Sequence, residues 1–142
     1  DIFLLLETFF IYGLVSFLIS HLIFLFAFIK RQGWQWRPTI ILVLLPIAAA
    51  IFIFISKDLG DLYIPVMIYL IVILLMSWQG WAITLNPKLK QHRFLGLAVS
   101  LFLFSDALIA INKFSYNFSF SGALILSSYW LSIYLIADSA TR

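Results

Sequence analysis

Residues 39–56 carry no charged side chain, and that run constrains the fold more than any other feature of the chain. Its length reaches the roughly 17–25 residues that an apolar helix needs to cross about 30 Å of hydrocarbon. In water, such a helix would have to be surrounded by a core on every side. The chain lacks the polar residues to coat one: hydrophobic residues fill 64% of the 142 positions and charged residues 11%, against about 45–50% and 25% in soluble domains. Lipid is the expected solvent.

Four further apolar runs are delimited by their punctuation. Residues 2–29 precede a polar, aromatic loop at 30–38, and the charged segment 57–61 ends the second run. The third run, 62–85, stops at Asn86-Pro87 before the basic stretch 88–93; the fourth and fifth are 94–111 and 121–137. In hydrocarbon each segment must satisfy its own backbone amides and carbonyls, which only helices and closed barrels do, and no run alternates as a barrel strand would. The expected fold is an all-α polytopic transmembrane bundle of about five helices, one domain over 1–142. Pro46 and Pro65 are expected to bend their helices. With no cysteine, disulfides, thiolate metal sites and cysteine nucleophiles are excluded together. The net charge of +3 lies in short loops rather than in a basic patch, so nucleic acid is not an expected partner.

Lys30, Arg31 and Arg37 occupy the first loop, Lys88, Lys90 and Arg93 the third, and Arg142 the C-terminus, whereas the opposite side has only Lys57 and Lys113. The positive-inside rule then places the first and third loops and the C-terminus in the cytoplasm, in a bacterial inner membrane on this reading. Trp34, Trp36 and Trp81 near one interface and Tyr63, Tyr116 and Phe118 near the other form aromatic belts. Asp1 directly precedes an apolar run, without an initiator Met or a signal peptide, so further sequence is expected upstream.

Ionisable groups at bilayer depth are costly and usually face a cavity or a partner. Glu7, His21, Asp106 and, near the end, Asp138 qualify. Counting from the presumed outer ends at ~1.5 Å per residue puts Glu7, Asp106, Tyr69 and Tyr129 in one outer-leaflet layer. The same count puts His21 ~21 Å deeper than Glu7, in an inner layer with Ser77, Gln79 and Ser100, away from Asp106 unless the first helix bends at Gly13. Ser16, Ser20, Ser127 and Ser128 read as helix-packing residues. Gly-x-Ser-x-Gly, His-Glu-x-x-His and phosphate-loop signatures are absent. With His21 and His92 the only histidines, neither a bound metal nor any other cofactor is expected, and carboxylate chemistry is the better reading.

Residues 94–114, FLGLAVSLFLFSDALIAINKF, resemble the signature region of the YhhN-like lysoplasmalogenase family, with a Gly, a Ser-Asp pair and an Ala-x-Asn-x-Phe ending. Asp1, Gly13 and FLISH at 17–21, YIPVMIYLIVILLMSW at 63–78 and SSYWLSIYLIA at 127–137 are similar to its other motifs. Ser132 and Ile133 depart from the family's usual Ala-Gln. The resemblance implies about eight helices, the others upstream, and hydrolysis of the vinyl ether bond of a lysophospholipid. Protonating a vinyl ether carbon gives an oxocarbenium ion that water captures, so an acid and a stabilising anion are needed, as in glycosidases. Asp106 is the expected acid, and Asp1 or Glu7 the second carboxylate. His21 would orient water or bind the headgroup, and Tyr69, Ser105, Asn112 and Tyr129 would contact substrate. The competing readings are a metal-dependent lipid hydrolase ligated by His21, Asp1 and Asp106, and a non-enzymatic lipid-binding or transport protein.

The charge asymmetry generates a direct test. A reporter fused after Arg142 should read cytoplasmic and one inserted at Asn117 exoplasmic, and the reverse pattern would overturn the orientation.

Overall fold

The computed structural model describes residues 2–114 and 121–141, and side chains at 8–89, 92–111 and 124–141. Asp1, Tyr116, Asn117, Phe118 and the side chains of Glu7 and Asn112 lie outside the described residues.

Helix α1 spans Ile2–Gln32, three residues beyond the apolar run. Gly33, at φ 71°, ends it: the Gly33 amide donates to the Ile29 carbonyl at 2.8 Å, a left-handed glycine cap. Helix α2, Pro38–Ile55, opens with a proline in its first position, where a missing N–H costs nothing. It is assigned without interruption through Pro46. Two 3₁₀ turns, Ser56–Asp58 and Gly60–Leu62, lead into α3, Tyr63–Thr84. Pro65 is the third residue of α3. It therefore helps start the helix rather than bend it, because first-turn amides have no intrahelical acceptor. A 3₁₀ segment, Pro87–His92, precedes α4, Leu95–Phe114, and α5 is Ser121–Ala140, three residues longer than its run.

Three of these helices are long and apolar enough to cross a membrane, within Thr8–Gln32, Pro38–Asp58 and Gly60–Thr84. The 20 residues of α4 and of α5 each extend about 30 Å. Large apolar side chains stand exposed on all five helices, among them Phe26, Leu42, Ile64, Phe104 and Trp130. In water such surfaces would drive association; against lipid chains they are matched. The chain is an all-α integral membrane bundle.

Helix α3 is the central column. It packs against α1, α2 and α4, and α4 packs against α5. Its contact with α4 is close because two glycines face large neighbours. A Cβ added to Gly80 would lie 2.7 Å from both Val99 methyl carbons, and one added to Gly96 would lie 2.6 Å from the Trp81 ring. The Gly96 amide, an orphan donor in the first turn of α4, is taken up by Thr84 Oγ1 at 2.6 Å. Thus α3 caps α4 from the side.

The first and third loops interlock. Gln79 Oε1 accepts from the Gln35 backbone amide at 3.0 Å and Gln79 Nε2 donates to the Gln35 carbonyl at 3.2 Å. Asn86 Nδ2 donates to Gln35 Oε1 at 2.9 Å, and Trp78 Nε1 donates to the Arg37 carbonyl at 2.8 Å. Trp34 and Trp36 meet Trp78 edge-on. Arg31 donates to the Ala140 carbonyl at 2.9 Å, bringing the end of α5 to the same pole. The basic loops therefore share one end of the bundle, as five alternating crossings require.

Overpacking the Gly80–Val99 contact should be costly, since Val is stiff about χ1. Gly80→Leu is expected to lose at least about 1–3 kcal/mol, seen as a lower melting temperature in detergent. Val99→Ala in the same chain should recover part of that loss; no recovery would place the strain elsewhere.

Candidate active site

Asp106 sits eleven residues into α4 from Leu95. Its Oδ2 accepts a hydrogen bond from the Tyr69 hydroxyl of α3 at 2.6 Å and lies 3.2 Å from Nε2 of His21 on α1. The His21 and Asp106 side chains are 1% and 8% exposed. Three helices thus deliver one polar group each to a single buried point.

The proton inventory follows from the partners. His21 Nδ1 contacts the Phe17 carbonyl oxygen, which only accepts, so Nδ1 holds a ring hydrogen. The Tyr69 oxygen stands 3.5 Å from the same nitrogen, and Tyr69 and Phe102 pack edge-on to the ring, with centroids at 5.2 and 4.7 Å. Nε2 faces Asp106 Oδ2, off the axis of a well-formed hydrogen bond. A neutral ring and an ionised carboxylate would oppose lone pairs there. One further proton between them, on the carboxyl or on the ring, would relieve that opposition. Either arrangement is neutral overall, the state an apolar setting tolerates best.

A cavity of ≈ 150 Å³ opens on Asp106 and Tyr69, walled by α1, α2, α3 and α4. Beyond those two groups its lining is apolar, from Phe10, Gly13 and Phe17 to Ile51, Ile55 and Val66. These residues lie toward the end of the bundle away from the basic loops. Dry apolar cavities of about this volume accept a benzene-sized group, so the space suits part of a hydrocarbon chain with its reactive end at the acid.

The contact between His21 and Asp106 corrects the expected two-layer arrangement. The expectation aligned the helices at their outer ends, but α1 has 31 residues and α4 has 20, and the extra length of α1 lies at its N-terminus. Counted from the basic end, His21 is eleven residues from Gln32, Asp106 eleven from Leu95 and Tyr129 eleven from Ala140. Each is ~16 Å from that end, close to the middle of a ~30 Å hydrocarbon layer. The cluster is therefore central rather than in the outer leaflet. By the same count the backbone of Glu7, fourteen residues from His21 along one continuous helix, lies ~21 Å from that level and does not share the layer.

Other expected residues fall elsewhere. Tyr129 packs edge-on against Phe17 and Phe102, with centroids at 5.9 and 5.5 Å, one ring removed from His21. Ser105 donates to the Ile125 carbonyl of α5 at 3.3 Å and is not among the cavity-lining residues. Gln79 holds the Gln35 loop, and Ser100 accepts from Trp81 Nε1 at 2.8 Å. The fully buried Ser77 Oγ has no hydrogen-bond partner among the described residues. No third His, Asp or Glu joins His21 and Asp106 among the described residues. Phe102, which seats His21, escaped the sequence reading because nothing separates it from its apolar neighbours.

A family model described as the YhhN family matches residues 1–140. The chain is 30% identical to the lysoplasmalogenase TMEM86A of Bos taurus, over 96% of the chain and 57% of that protein. It is 28% identical to the lysoplasmalogenase TMEM86B of Rattus norvegicus, over 96% of the chain and 54% of that protein. Identity to the Homo sapiens lysoplasmalogenase TMEM86A is 29%, over 96% and 57% respectively. The chain thus spans a little over half the length of these curated relatives. No solved structure matches.

If the 2.6 Å bond carries energy, Tyr69→Phe should destabilise the bundle by about 1–3 kcal/mol, the cost of leaving a buried acceptor unsatisfied. Combined with Asp106→Asn, the loss should fall short of the sum by more than the ~0.3–0.5 kcal/mol scatter of independent sites. Additive losses in chemical unfolding would mean that the two groups are not coupled.

Proposed function

Because this chain belongs to the YhhN family, we propose that it takes part in hydrolysing the vinyl ether bond of lysoplasmalogens, with Asp106 as the proton donor. The reading is carried by one observation: a buried carboxyl group that accepts from Tyr69 and stands 3.2 Å from His21, at the end of an apolar cavity. The relatives named lysoplasmalogenases support the substrate class.

In this mechanism the alkenyl chain lies in the cavity beside Gly13 and Ile55, and the vinyl ether sits at Asp106. The carboxyl proton passes to the outer vinyl carbon, leaving an oxocarbenium ion beside the new carboxylate, whose charge stabilises it. Water adds to the cationic carbon and gives its proton back to Asp106. The hemiacetal collapses to a fatty aldehyde and a glycerophospho-headgroup alcohol. One carboxyl serves as acid and then base, as the acid/base group of a retaining glycosidase does. His21 keeps the shared proton within reach, and Tyr69 orients the carboxyl through Oδ2. Neither Asp1 nor Glu7 is required in this scheme. We place the basic end on the cytoplasmic side of the membrane, from the Lys and Arg asymmetry.

Asp106→Asn retains shape and hydrogen bonding but has no acidic proton. General acid catalysis contributes about 10²–10⁴-fold, and aldehyde release from lysoplasmalogen by the complete protein should fall by that order. Ser127→Ala, which removes only a hydroxyl bonded to the Leu124 carbonyl, is the control. Near-normal turnover by a folded Asp106→Asn protein would refute the assignment. Lysolipid binding without aldehyde release by the parent would favour a transport or binding role, and loss of activity with a chelator a metal-dependent one.

A further inference from the structure

A second cavity, ≈ 340 Å³, lies at the basic end between α1 and α5 and is not used by the chemistry above. Its walls divide by polarity. Phe24 and Phe28 of α1 face Ile133 and Ile136 of α5, and the end near the aqueous boundary carries Arg31, Gln32, His92 and Ser139. These polar groups form a built array. Arg31 Nη1 donates to the Ala140 carbonyl at 2.9 Å. The Gln32 amide donates to His92 Nε2 at 2.8 Å, which leaves Nδ1–H to donate to Ser139 Oγ at 2.8 Å. The His92 imidazole is held below its ordinary value first by burial and then by the Arg31 charge, with Ser139 acting in the opposite sense. His92 therefore enters the array neutral near pH 7. Among the described lining residues there is no carboxylate, and the Arg31 guanidinium is their formal charge.

We infer that this cavity binds a lysophospholipid from the leaflet at the basic end, with the phosphodiester on Arg31 and the chain along the Phe24–Ile136 trough. Arg is the side chain best matched to phosphate oxygens. The apolar wall selects a lipid over a free phosphate, and the volume falls in the range of small-ligand pockets, about 300–1,000 Å³, enough for one chain. Ile23, 60% exposed, marks the side open to the bilayer.

The site is separate from the acid by distance. His21 and Arg31 are ten residues apart on α1, ~15 Å along the axis, and the guanidinium is tied outward to the last residue of α5. In a lysoplasmalogen only five bonds of roughly 1.5 Å separate the ether oxygen from phosphorus, at most about 7 Å. A lipid with its phosphate on Arg31 cannot place a vinyl ether on Asp106. The inference does not depend on the reaction proposed there.

The test uses the complete protein in detergent and lysophosphatidylethanolamine with a saturated ester-linked chain, which has no vinyl ether to cleave. Binding is read by native mass spectrometry. Arg31→Gln removes the charge, and Ala137→Phe fills the trough without touching the polar array; each should weaken binding by about tenfold or more. Ser127→Ala, outside both cavities, should leave it unchanged. Glycerophosphoethanolamine, the same headgroup without a chain, and inorganic phosphate should both bind at least tenfold more weakly. A diazirine on the lipid chain gives a readout on the unaltered protein: labelling should fall on residues 23–28 and 133–137. Labelling around Gly13 and Ile55, undiminished binding in folded Ala137→Phe, or equal binding of the chainless headgroup would each overturn the proposal.

Discussion

The buried meeting of Asp106 with Tyr69 and His21 is the constraint on which the centre of this bundle depends. A carboxylate alone at this depth would be an uncompensated charge in hydrocarbon, a cost that membrane proteins avoid by pairing or by cavities. Here the ring hydrogen on Nδ1 is committed to the Phe17 carbonyl, and Nε2 faces the carboxyl at 3.2 Å. Tyr69 supplies a second donor to the same oxygen. The cluster thus gives the buried carboxyl polar partners from two other helices.

Holding three groups to this tolerance requires stiff surroundings, and the packing of α3 provides them. Tyr69 and the two glycine contacts belong to one column: Gly80 admits Val99, and Gly96 admits Trp81, so α3 and α4 approach closely along the segment that carries Asp106. Thr84 ties the start of α4 to α3 through the Gly96 amide, which fixes the axial position of α4. Without that tie, a slide of one residue would move Asp106 by ~1.5 Å and rotate it by about 100°, away from both partners.

The existence, number and direction of the helices were legible because lipid leaves the backbone few choices. That Asp106 would need polar partners inside the bundle was legible as well, since it lies mid-run between Leu103 and Leu108. Its partnership with His21 was not. Residue counts give depth only when a common origin is known, and the 31 residues of α1 exceed what the bilayer requires, so counting from the outer ends misplaced His21. Fixed at the basic end, where Arg31 meets Ala140 and Gln32 meets His92, the same arithmetic brings His21, Asp106 and Tyr129 level. Ser105 illustrates the other limit: adjacent to Asp106 in sequence, it lies about 100° away around the helix and bonds to α5. Adjacency in a motif does not mean a shared face.

The two cavities divide the bundle by polarity. The one at Asp106 extends away from the basic loops and is apolar apart from Asp106 and Tyr69. The other opens at the basic end and has a fixed cation with a neutral hydrogen-bonding array. His21 and Phe102 lie between them, and the ring of His21 is packed on Phe102 at 4.7 Å. Phe102 in turn carries Tyr129 of α5 at 5.5 Å, the helix that walls the second cavity. His21 of α1 and Tyr129 of α5 are thus joined through edge-on contacts with one ring, Phe102 of α4.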